Sequence, residues 1–502
     1  MICLAVFGFP TVFAAQGGAP RTADAGQLLA CASLSADPVR CPADTSRGVV
    51  LMRSTGTGEC IADRTWGFDE TGVWVSHGCA AEFALDRTAV PPAPSETPRE
   101  PTPQVAMWGE FDPGKGFLVG RSSAGELAIS AYALVRYLNQ MPDADTFTDH
   151  LGNERPVDGR NDIFPHRVII WFKGWMGRPQ LVYNIAVWTV NTTNQVALFG
   201  NLGYQFSRKF SVYAGINGNP GTRSLQGSHP YWLGHDRVMA DEFFRPYFGS
   251  GVWTQGEAFS GLWYNVMLAN SNSALDIKAT QLDREFTRSA SVWWMPTTKE
   301  FGPKGGYGDW EGHEKVATRF GVSMSFSPEQ RYTNADNGSS GNTTLRFVDS
   351  VNVFDTGALA PNVTVENVDF RILSFDAGLK YKGLFVQTEI YNRWLENFVA
   401  DGPIPVTSVH DTGFYVQAAF YAVPKKLEFY GITSQIFGDS SAGFGNSSEY
   451  GGGLNFYPAQ TRDHRFNFQV LSVDRSAVSS VFGYYVGGQS GTTVSAALSV
   501  FF

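Results

Sequence analysis

The chain closes on Thr493-Val494-Ser495-Ala496-Ala497-Leu498-Ser499-Val500-Phe501-Phe502, in which small or polar residues alternate with apolar ones. Successive side chains of a β-strand point to opposite faces, so this alternation predicts a strand with one apolar face, ending on Phe502. A terminal strand of an ordinary globular sheet is the alternative interpretation. The rest of the sequence favours a different setting for this strand.

The same alternation recurs upstream in segments of about ten residues, which are separated by breaks rich in Gly, Asn, Pro and Asp. Clear examples lie at residues 126–137, 167–176, 181–187, 196–206, 316–325, 384–393 and 414–422. Short alternating segments of one length are typical of transmembrane β-strands. We therefore expect an all-β fold over residues 107–502, a transmembrane antiparallel barrel of about 16 strands, with 18 as the alternative.

Composition agrees with strands whose apolar face meets lipid. Charged residues make up 17% of the 502 positions and aromatic residues 14%, whereas soluble domains contain about 25% charged residues. Beyond the first fifteen residues, no stretch is long and apolar enough for a membrane-spanning helix. A helical membrane protein is thus excluded, and the aromatic content excludes a disordered chain. The net charge of −9 makes nucleic acid a poor partner.

Several predicted strands carry aromatic pairs close to their ends. These are Trp171 and Trp175, Trp293 and Trp294, and Tyr391 and Trp394. Trp and Tyr are enriched where a membrane meets water, so these positions predict aromatic girdles.

Residues 1–15 have the composition of the apolar core of a secretory signal. The segment Val12-Phe13-Ala14-Ala15 supplies small residues for cleavage, but the basic start of such a signal is missing. A start site placed too far downstream would explain this, and a short buried apolar segment is the alternative.

Four cysteines follow within residues 27–85, namely Cys31, Cys41, Cys60 and Cys79, and no cysteine occurs after them. In an exported chain such a cluster predicts two disulfides that staple a small module, with three pairings open. A zinc site is the alternative, but the cluster contains no Cys-x-x-Cys pair. Six prolines crowd residues 88–104, which predicts an extended, semi-rigid linker.

Three stretches resemble one porin family. Gly413-Phe414-Tyr415-Val416-Gln417 with Pro424-Lys425-Lys426-Leu427-Glu428 is similar to a hairpin of the phosphate-selective porins of the O and P type. Residues 237–257 resemble the middle strands of that family, and residues 117–129 resemble its opening strands. The final strand also resembles the terminal strand of Gram-negative outer-membrane barrels.

The resemblance implies a location and several partners. It implies a multi-pass barrel in outer-membrane lipid of a Gram-negative cell, a homotrimer, and recognition of Phe502 by the barrel-assembly machinery. Because the termini of such barrels lie on the periplasmic side, residues 27–85 are expected in the periplasm. These residues resemble a small uncharacterised exported four-cysteine module that has no known activity, and we expect them to contact peptidoglycan or a periplasmic partner.

A barrel of this size is expected to enclose water, because its lumen is too wide for its own side chains to fill. Selection of anions would need basic side chains along that lumen. The candidates on the predicted polar faces, or near them, are Arg136, Arg167, Lys173, Arg245, Arg319, Arg371, Lys380 and Arg393. Acids share the same faces, among them Glu126, Asp376, Glu389 and Glu428. A neutralised, ion-paired wall is therefore the alternative to an anion path.

The sequence predicts no enzyme. The eight histidines are scattered, and neither His-Glu-x-x-His nor Gly-x-Ser-x-Gly occurs. We expect no cofactor and no metal site. The expected function is a porin that passes small hydrophilic solutes by diffusion, with anions such as phosphate as the finer expectation. The alternative is a non-conducting barrel that anchors the envelope, with the N-terminal module binding peptidoglycan or a periplasmic partner.

Overall fold

The computed structural model describes residues 28–56, 58–85, 116–190, 195–227, 229–272, 285–302, 306–331, 345–479 and 484–502. The predicted signal at residues 1–15 and the predicted linker at residues 88–104 lie outside these ranges. The chain divides into two compact units, residues 1–104 and 105–502, which are described separately.

Strands dominate both units. In chain order the strands are β1 Leu28–Ala32, β2 Val39–Cys41, β3 Val50–Ser54, β4 Trp66–Asp69, β5 Gly72–Val75, β6 Ala80–Ala84, β7 Phe117–Arg121, β8 Gly125–Pro142, β9 Thr146–Thr148, β10 Glu154–Pro156, β11 Asn161–Met176, β12 Arg178–Val190, β13 Gln195–Ser207, β14 Phe210–Gly218, β15 Phe248–Phe259, β16 Leu262–Ala269, β17 Thr287–Trp294, β18 Ala317–Gln330, β19 Val365–Tyr381, β20 Leu384–Ala400, β21 Ser408–Val423, β22 Leu427–Phe437, β23 Asn446–Phe456, β24 His464–Asp474 and β25 Gly491–Phe501. The helix α1 is Met239–Phe244, and short 3-10 turns occur at Arg223–Gln226 and Ser440–Ala442. Within the described ranges, no helix combines the length and apolar character needed to cross a membrane.

The N-terminal unit contains two three-stranded sheets, β1-β6-β3 and β2-β5-β4. Val73, Val75 and Phe83 are fully buried between them. The prediction of two disulfides is confirmed. The pairing, which the sequence left open, is Cys31 with Cys41 and Cys60 with Cys79.

The second unit is a closed antiparallel barrel of 16 strands, which confirms the predicted fold class and strand number. Closure occurs at β8, whose free edge pairs with two strands at different heights. β25 pairs along Tyr132–Pro142, whereas the short β7 pairs near Ile129, so the two together occupy one strand position. Phe502 extends this edge, since its N–H donates to the Ala131 carbonyl at 3.0 Å.

The outer face of the barrel is apolar, as the alternation predicted. Large hydrophobic side chains exposed on this face include Leu198, Phe320, Phe375, Ile390, Phe420 and Phe468. The prediction of aromatic girdles was wrong for Trp171, Trp293 and Tyr391, which are fully buried on the inner face. Trp294 does lie on the outer face, half exposed, beside Trp293. Trp293 and Trp294 are adjacent in the strand and must face opposite ways, so only one of them can reach lipid.

The two ends of the barrel differ in their connections. At the end that holds Phe502, hereafter the Phe502 end, most turns are short, such as Lys382-Gly383 between β19 and β20. At the opposite end the connections are long, and include residues 143–160, 219–247 and 475–490. Residues 295–316 are the exception, a long connection at the Phe502 end.

The disulfide pairing is directly testable on the full-length protein. Trypsin cleaves after Arg40, Arg53 and Arg64, so it separates all four cysteines unless disulfides hold the peptides together. Digestion without reductant, followed by mass spectrometry, should give one linked pair containing Cys31 and Cys41, and another containing Cys60 and Cys79. A peptide linking Cys31 to Cys60 or Cys79 would contradict the pairing. Replacing Cys60 and Cys79 by Ser should cost about 2–4 kcal/mol of unfolding free energy.

Candidate functional site: the barrel interior

The inner face of the barrel is lined by charged side chains that are almost completely buried. The charged residues of this face with little exposure are Arg136, Glu257, Arg319, Glu329, Asp376, Lys380, Glu389, Arg393, Asp411, Glu428, Glu449 and Arg465. Buried charges need ionic or hydrogen-bonding partners, because desolvation of an unpaired charge is costly. The partners come largely from chain segments that fold into the barrel.

The main such segment joins β14 to β15 and is called here the inward segment, residues 219–247. Its described residues are buried, except that Tyr231 and Asp236 are half-buried. Met239, Phe243 and Phe244 of α1 belong to the same apolar cluster as wall residues of the barrel. The resemblance had assigned residues 237–257 to strands. That assignment was wrong for their first part, where α1 forms and the strand begins only at Phe248.

The first turn of α1 is held by the barrel wall. Val238, at the position before the helix, offers no side-chain cap. Instead the Met239 N–H donates to Glu449 Oε1 at 2.6 Å, and the Ala240 N–H donates to Ser434 Oγ at 3.2 Å. Unpaired amides at a helix start favour a negative charge, so Glu449 of β23 acts as the missing cap.

A second contact joins the 3-10 turn of the inward segment to β18, β19 and β20. The Arg223 N–H donates to Glu389 Oε1 at 2.9 Å. Gln226 Oε1 accepts a hydrogen bond from Arg319. Arg319 also donates from Nε to Asp376 Oδ1 at 2.9 Å. The turn is therefore held by the wall through one acceptor, Glu389, and one donor, Arg319.

Asp236 is the centre of a third cluster. Its carboxylate lies 3.2 Å from Arg167 Nη2, 3.4 Å from His166 Nε2 and 3.9 Å from Arg136 Nη1. Trp232, also in the inward segment, lies under the guanidinium of Arg167, whose centre is 5.2 Å from the ring centroid. One acid thus neutralises two arginines of β8 and β11.

One further ion pair lies at the end of α1, and another lies in the wall next to it. Arg245 donates from Nε and Nη2 to the two oxygens of Glu242 at 3.0 and 2.8 Å. Arg393 of β20 donates from Nε and Nη2 to Asp411 Oδ2 at 3.1 and 2.5 Å. Its guanidinium centre lies 4.0 Å from the centroid of the Phe243 ring. Phe243 therefore covers a wall ion pair that would otherwise face the lumen.

Other connections also enter the barrel. Leu345, Phe347, Val353 and Leu359, from the connection between β18 and β19, are nearly fully buried in the large apolar cluster. From the Phe502 end, residues 295–316 reach inward. Lys380 Nζ donates to the carbonyls of Phe301 and Gly306 at 2.7 and 2.8 Å.

The described part of the chain therefore fills the lumen. The expectation of an open, water-filled lumen counted only the side chains of the strands, and the structure differs from it in that other chain segments also lie inside the barrel. The inward segment and its neighbouring connections occupy the space that those side chains cannot reach. Any path for solute must run between these segments and the wall.

Of the eight predicted lumen residues, six lie on the inner face. These are Arg136, Arg167, Lys173, Arg319, Lys380 and Arg393. Arg245 is interior too, but it belongs to the inward segment rather than to a strand. The geometry brings each of Arg167, Arg319 and Arg393 against an acid, so the predicted ion-paired wall describes them better than a free cationic ladder does.

Arg371 is the exception, and its predicted inward position was wrong. Its side chain is 48% exposed on the outer face, 2.9 Å from Glu396. The inward positions of β19 here are Phe370 and Ile372, which are buried. They are apolar because they meet the apolar connection between β18 and β19, and this reverses the usual polarity of the two faces.

Sequence reasoning missed the acids that organise the inward segment. Asp236 was not singled out as a site residue, and Asp241 and Glu242 lie within residues 237–257, which the resemblance placed in strands. The available signal was their density: Asp236, Asp241 and Glu242 stand among Arg237 and Arg245 within ten residues. Such a charge-rich stretch between two apolar strands is expected to find its partners in the wall.

At the Phe502 end, His313 bonds to two acidic side chains. Its Nδ1 bonds to Asp309 and its Nε2 lies 2.8 Å from Glu300 Oε1. Asp309 Oδ2 also accepts from the Gly383 N–H at 2.7 Å, which ties residues 295–316 to the β19–β20 turn. These two carboxylates raise the pKa of His313 to about 9, and the bonded His313 lowers the pKa of Asp309.

Two of these residues, together with Glu311, also have the spacing of a metal site. Ligand atoms of Asp309, Glu311 and His313 lie within 4.8 Å of one another. Both ring nitrogens of His313 are already engaged by carboxylates, and Lys380 Nζ lies 3.9 Å from Glu311 Oε2. The acids Glu300, Asp309 and Glu311 are therefore paired with the cations His313 and Lys380. This network of ion pairs is called the ionic latch.

Comparison with known proteins gives one family match. Residues 28–99 match a family described as a protein of unknown function, DUF3011. The match covers the four cysteines of the N-terminal unit. No curated protein matches the sequence.

Three solved structures of similar fold are distant in sequence. The outer-membrane expressed OmpT of Vibrio cholerae has 10% identity and a TM-score of 0.46, over 76% of this chain and 99% of its own. An anion-selective porin from Comamonas acidovorans has 10% identity and a TM-score of 0.45, over 75% and 100%. The outer membrane channel DcaP of Acinetobacter baumannii has 7% identity and a TM-score of 0.43, over 77% and 99%.

The ionic latch predicts a dependence on pH. Because the pKa of His313 is raised to about 9, its charged form stabilises the latch fully below the ordinary histidine value. That contribution is lost as the pH rises through about 9. Hydrogen exchange of residues 306–316 should therefore be slower in the wild type than in His313→Gln at pH 6.5. The two proteins should converge at pH 10, and an equal difference at both values would contradict the latch.

Proposed function

We propose that this chain is an outer-membrane channel for small hydrophilic solutes, closed in the present conformation by its inward segment. No enzymatic step is part of the proposal. The observation that carries it is the distribution of apolar and charged side chains over the barrel, which is the opposite of that in a soluble protein. The outer face is apolar, and the interior between wall and segment is charged.

The outer face supports placement in a bilayer. On β19 it runs from Tyr381 up to Arg371 through Leu379, Phe375 and Leu373. Ten residues at about 3.3 Å each, tilted by about 40°, span roughly 25 Å, the height of an outer-membrane apolar band. Short turns are typical of the periplasmic side of such barrels, so the Phe502 end is proposed to be periplasmic.

The interior supports passage of water and polar solutes. A barrel that only anchors could be filled by apolar side chains alone. Here Arg319 Nη1, Arg245 Nη1 and Asp376 Oδ2 are buried and have no hydrogen-bond partner among the described residues. Buried polar atoms of this kind are normally satisfied by water or an ion. Water between the inward segment and the wall would give polar solutes a hydrated route through the barrel.

Conduction then requires the inward segment to move away from the wall. A disulfide between the two should hold the channel shut. Ala240 and Ser434 are adjacent, since the Ala240 N–H lies 3.2 Å from Ser434 Oγ. In planar bilayers the wild type should conduct, the oxidised Ala240→Cys, Ser434→Cys variant should not, and dithiothreitol should restore its current.

The control for this experiment is each single cysteine variant, which should conduct like the wild type with and without reductant. A silent wild type would contradict the channel itself. A locked variant that conducts like the wild type would show that solutes bypass the inward segment.

The finer proposal concerns selectivity for anions such as phosphate. Arginine suits phosphate because its guanidinium binds two oxygens at once. The interior arginines nevertheless face acids, and residues 107–502 carry 31 basic and 36 acidic side chains. We therefore expect weak selectivity for anions, which depends on individual pairs of an arginine and an acid.

The Arg319–Asp376 pair tests this directly. Asp376→Asn should move the reversal potential in a KCl gradient towards anions by a few fold in permeability ratio, because Arg319 loses its acid. Arg319→Gln should move it towards cations. Heat-dependent migration on gels checks that each variant is folded. Identical reversal potentials in all three proteins would remove this pair from the path.

The second candidate function is a non-conducting anchor of the envelope. The filled interior is the observation that favours it. In that case the N-terminal unit would carry the function, by binding peptidoglycan or a periplasmic partner. A wild type without conductance, together with peptidoglycan binding that needs residues 27–85, would support the anchor over the channel.

The remaining proposals concern location and partners. We propose that residues 27–85 lie in the periplasm, because the chain enters the barrel beside Phe502, whose ring is 5.0 Å from that of Phe117. A homotrimer and recognition of Phe502 by the barrel-assembly machinery are proposed from the family resemblance.

A further inference from the structure

The outer face of the barrel carries cationic and aromatic side chains that lie in one row of the strand register. Strand register pairs Leu268 with Arg288, Arg288 with Phe326, Phe326 with Arg371, and Arg371 with Trp394. The row therefore has one residue on each of the five neighbouring strands from β16 to β20. Trp394 then stacks on His410 of β21, with ring centroids 4.9 Å apart.

The two arginines of the row share one aromatic ring. The guanidinium centres of Arg288 and Arg371 lie 5.7 and 5.3 Å from the centroid of Phe326. Arg371 pairs with Glu396 at 2.9 Å, whereas Arg288 forms no ion pair with any residue that the structure describes. The row thus keeps a net positive charge.

Directly beside the row lies an apolar groove of about 960 Å³ on the outer surface of β14 to β20. Its outward-facing lining includes Val252, Leu268, Met324 and Leu373. Arg288, Arg371 and Glu396 line the same groove. A groove with an apolar floor and cations at one edge is complementary to an amphiphile with an anionic head.

The wall is also short at this place. β16 and β17 contain eight residues each. At about 3.3 Å per residue and a tilt of about 40° they rise roughly 20 Å, less than the apolar band of about 25 Å. Arg288 is the second residue of β17, so it lies near the end of this short strand. Lipid head groups must be closer to the bilayer centre here than elsewhere around the barrel. A charged side chain on a lipid face is costly unless an anion or water reaches it.

We infer that this groove binds a phosphorylated, acylated glycolipid of the lipid A type, the anionic lipid of the outer leaflet. The acyl chains lie in the apolar groove, and a phosphate lies between Arg288 and Arg371. Trp394 borders the sugar. Binding here rests on the membrane placement proposed above, but it does not require the barrel to conduct.

The test uses full-length protein in detergent and measures binding of bisphosphorylated lipid A by native mass spectrometry. Arg288→Gln with Arg371→Gln should weaken binding by about tenfold or more, since the loss of even one charge-assisted contact costs about that factor. Glu396→Gln should strengthen binding, because it frees Arg371. Met324→Trp should weaken binding by filling the groove without changing charge.

Arg178→Gln is the matched control, since Arg178 is an exposed arginine at the Phe502 end. It should bind lipid A like the wild type. Dephosphorylated lipid A should bind the wild type no better than phosphorylated lipid A binds the double variant, and inorganic phosphate should not compete.

Equal binding by the wild type and the double variant would overturn the inference, and so would equal binding of the dephosphorylated lipid. A double variant that loses self-association but keeps lipid A would make a second copy of the chain the occupant, and would overturn it as well. Because none of these measurements uses conductance, a silent barrel that binds lipid A would leave this inference standing and reject the channel.

Discussion

Closure of the sheet along β8 is the constraint on which the rest of the structure depends. In lipid an open edge would leave a row of unpaired N–H and C=O groups, so a membrane sheet must close on itself. β25 and β7 together complete that edge, and Phe502 adds the last backbone bonds at Ala131. Once the sheet is closed, period-2 alternation sends one set of side chains to lipid and the other to the interior. The interior then has to be filled or hydrated.

The inward segment occupies the interior and is held there by hydrogen bonds and ion pairs with the wall. Glu449 caps α1, Glu389 receives the 3-10 turn, and Asp236 neutralises Arg136 and Arg167. Without these partners the acids and arginines would be buried, unpaired charges and the amides would lack acceptors, so the wall and the inward segment depend on each other. The same dependence gives the proposed channel a means of opening, because water can replace these contacts one by one as the segment leaves.

The sequence was sufficient for the barrel and insufficient for its contents. Strand faces follow from local alternation, so the outward positions of Phe320 and Ile390, and the inward positions of Arg319 and Arg393, were predictable. The helix at Met239–Phe244 was not, because its first amides depend on Glu449, two hundred residues away in the chain. Arg371 was misplaced for a related reason: Phe370 and Ile372 face inward only because an apolar connection packs against them.

Hydrogen exchange of α1 tests the central claim most directly. The amides of Met239 and Ala240 donate to Glu449 and Ser434 inside the barrel, so the docked segment should protect them. Mass spectrometry of the peptide containing residues 239–244, from full-length protein in lipid nanodiscs, should show exchange as slow as that of the strands β22 and β23. Exchange within seconds, as in an exposed loop, would mean that the inward segment does not occupy the barrel.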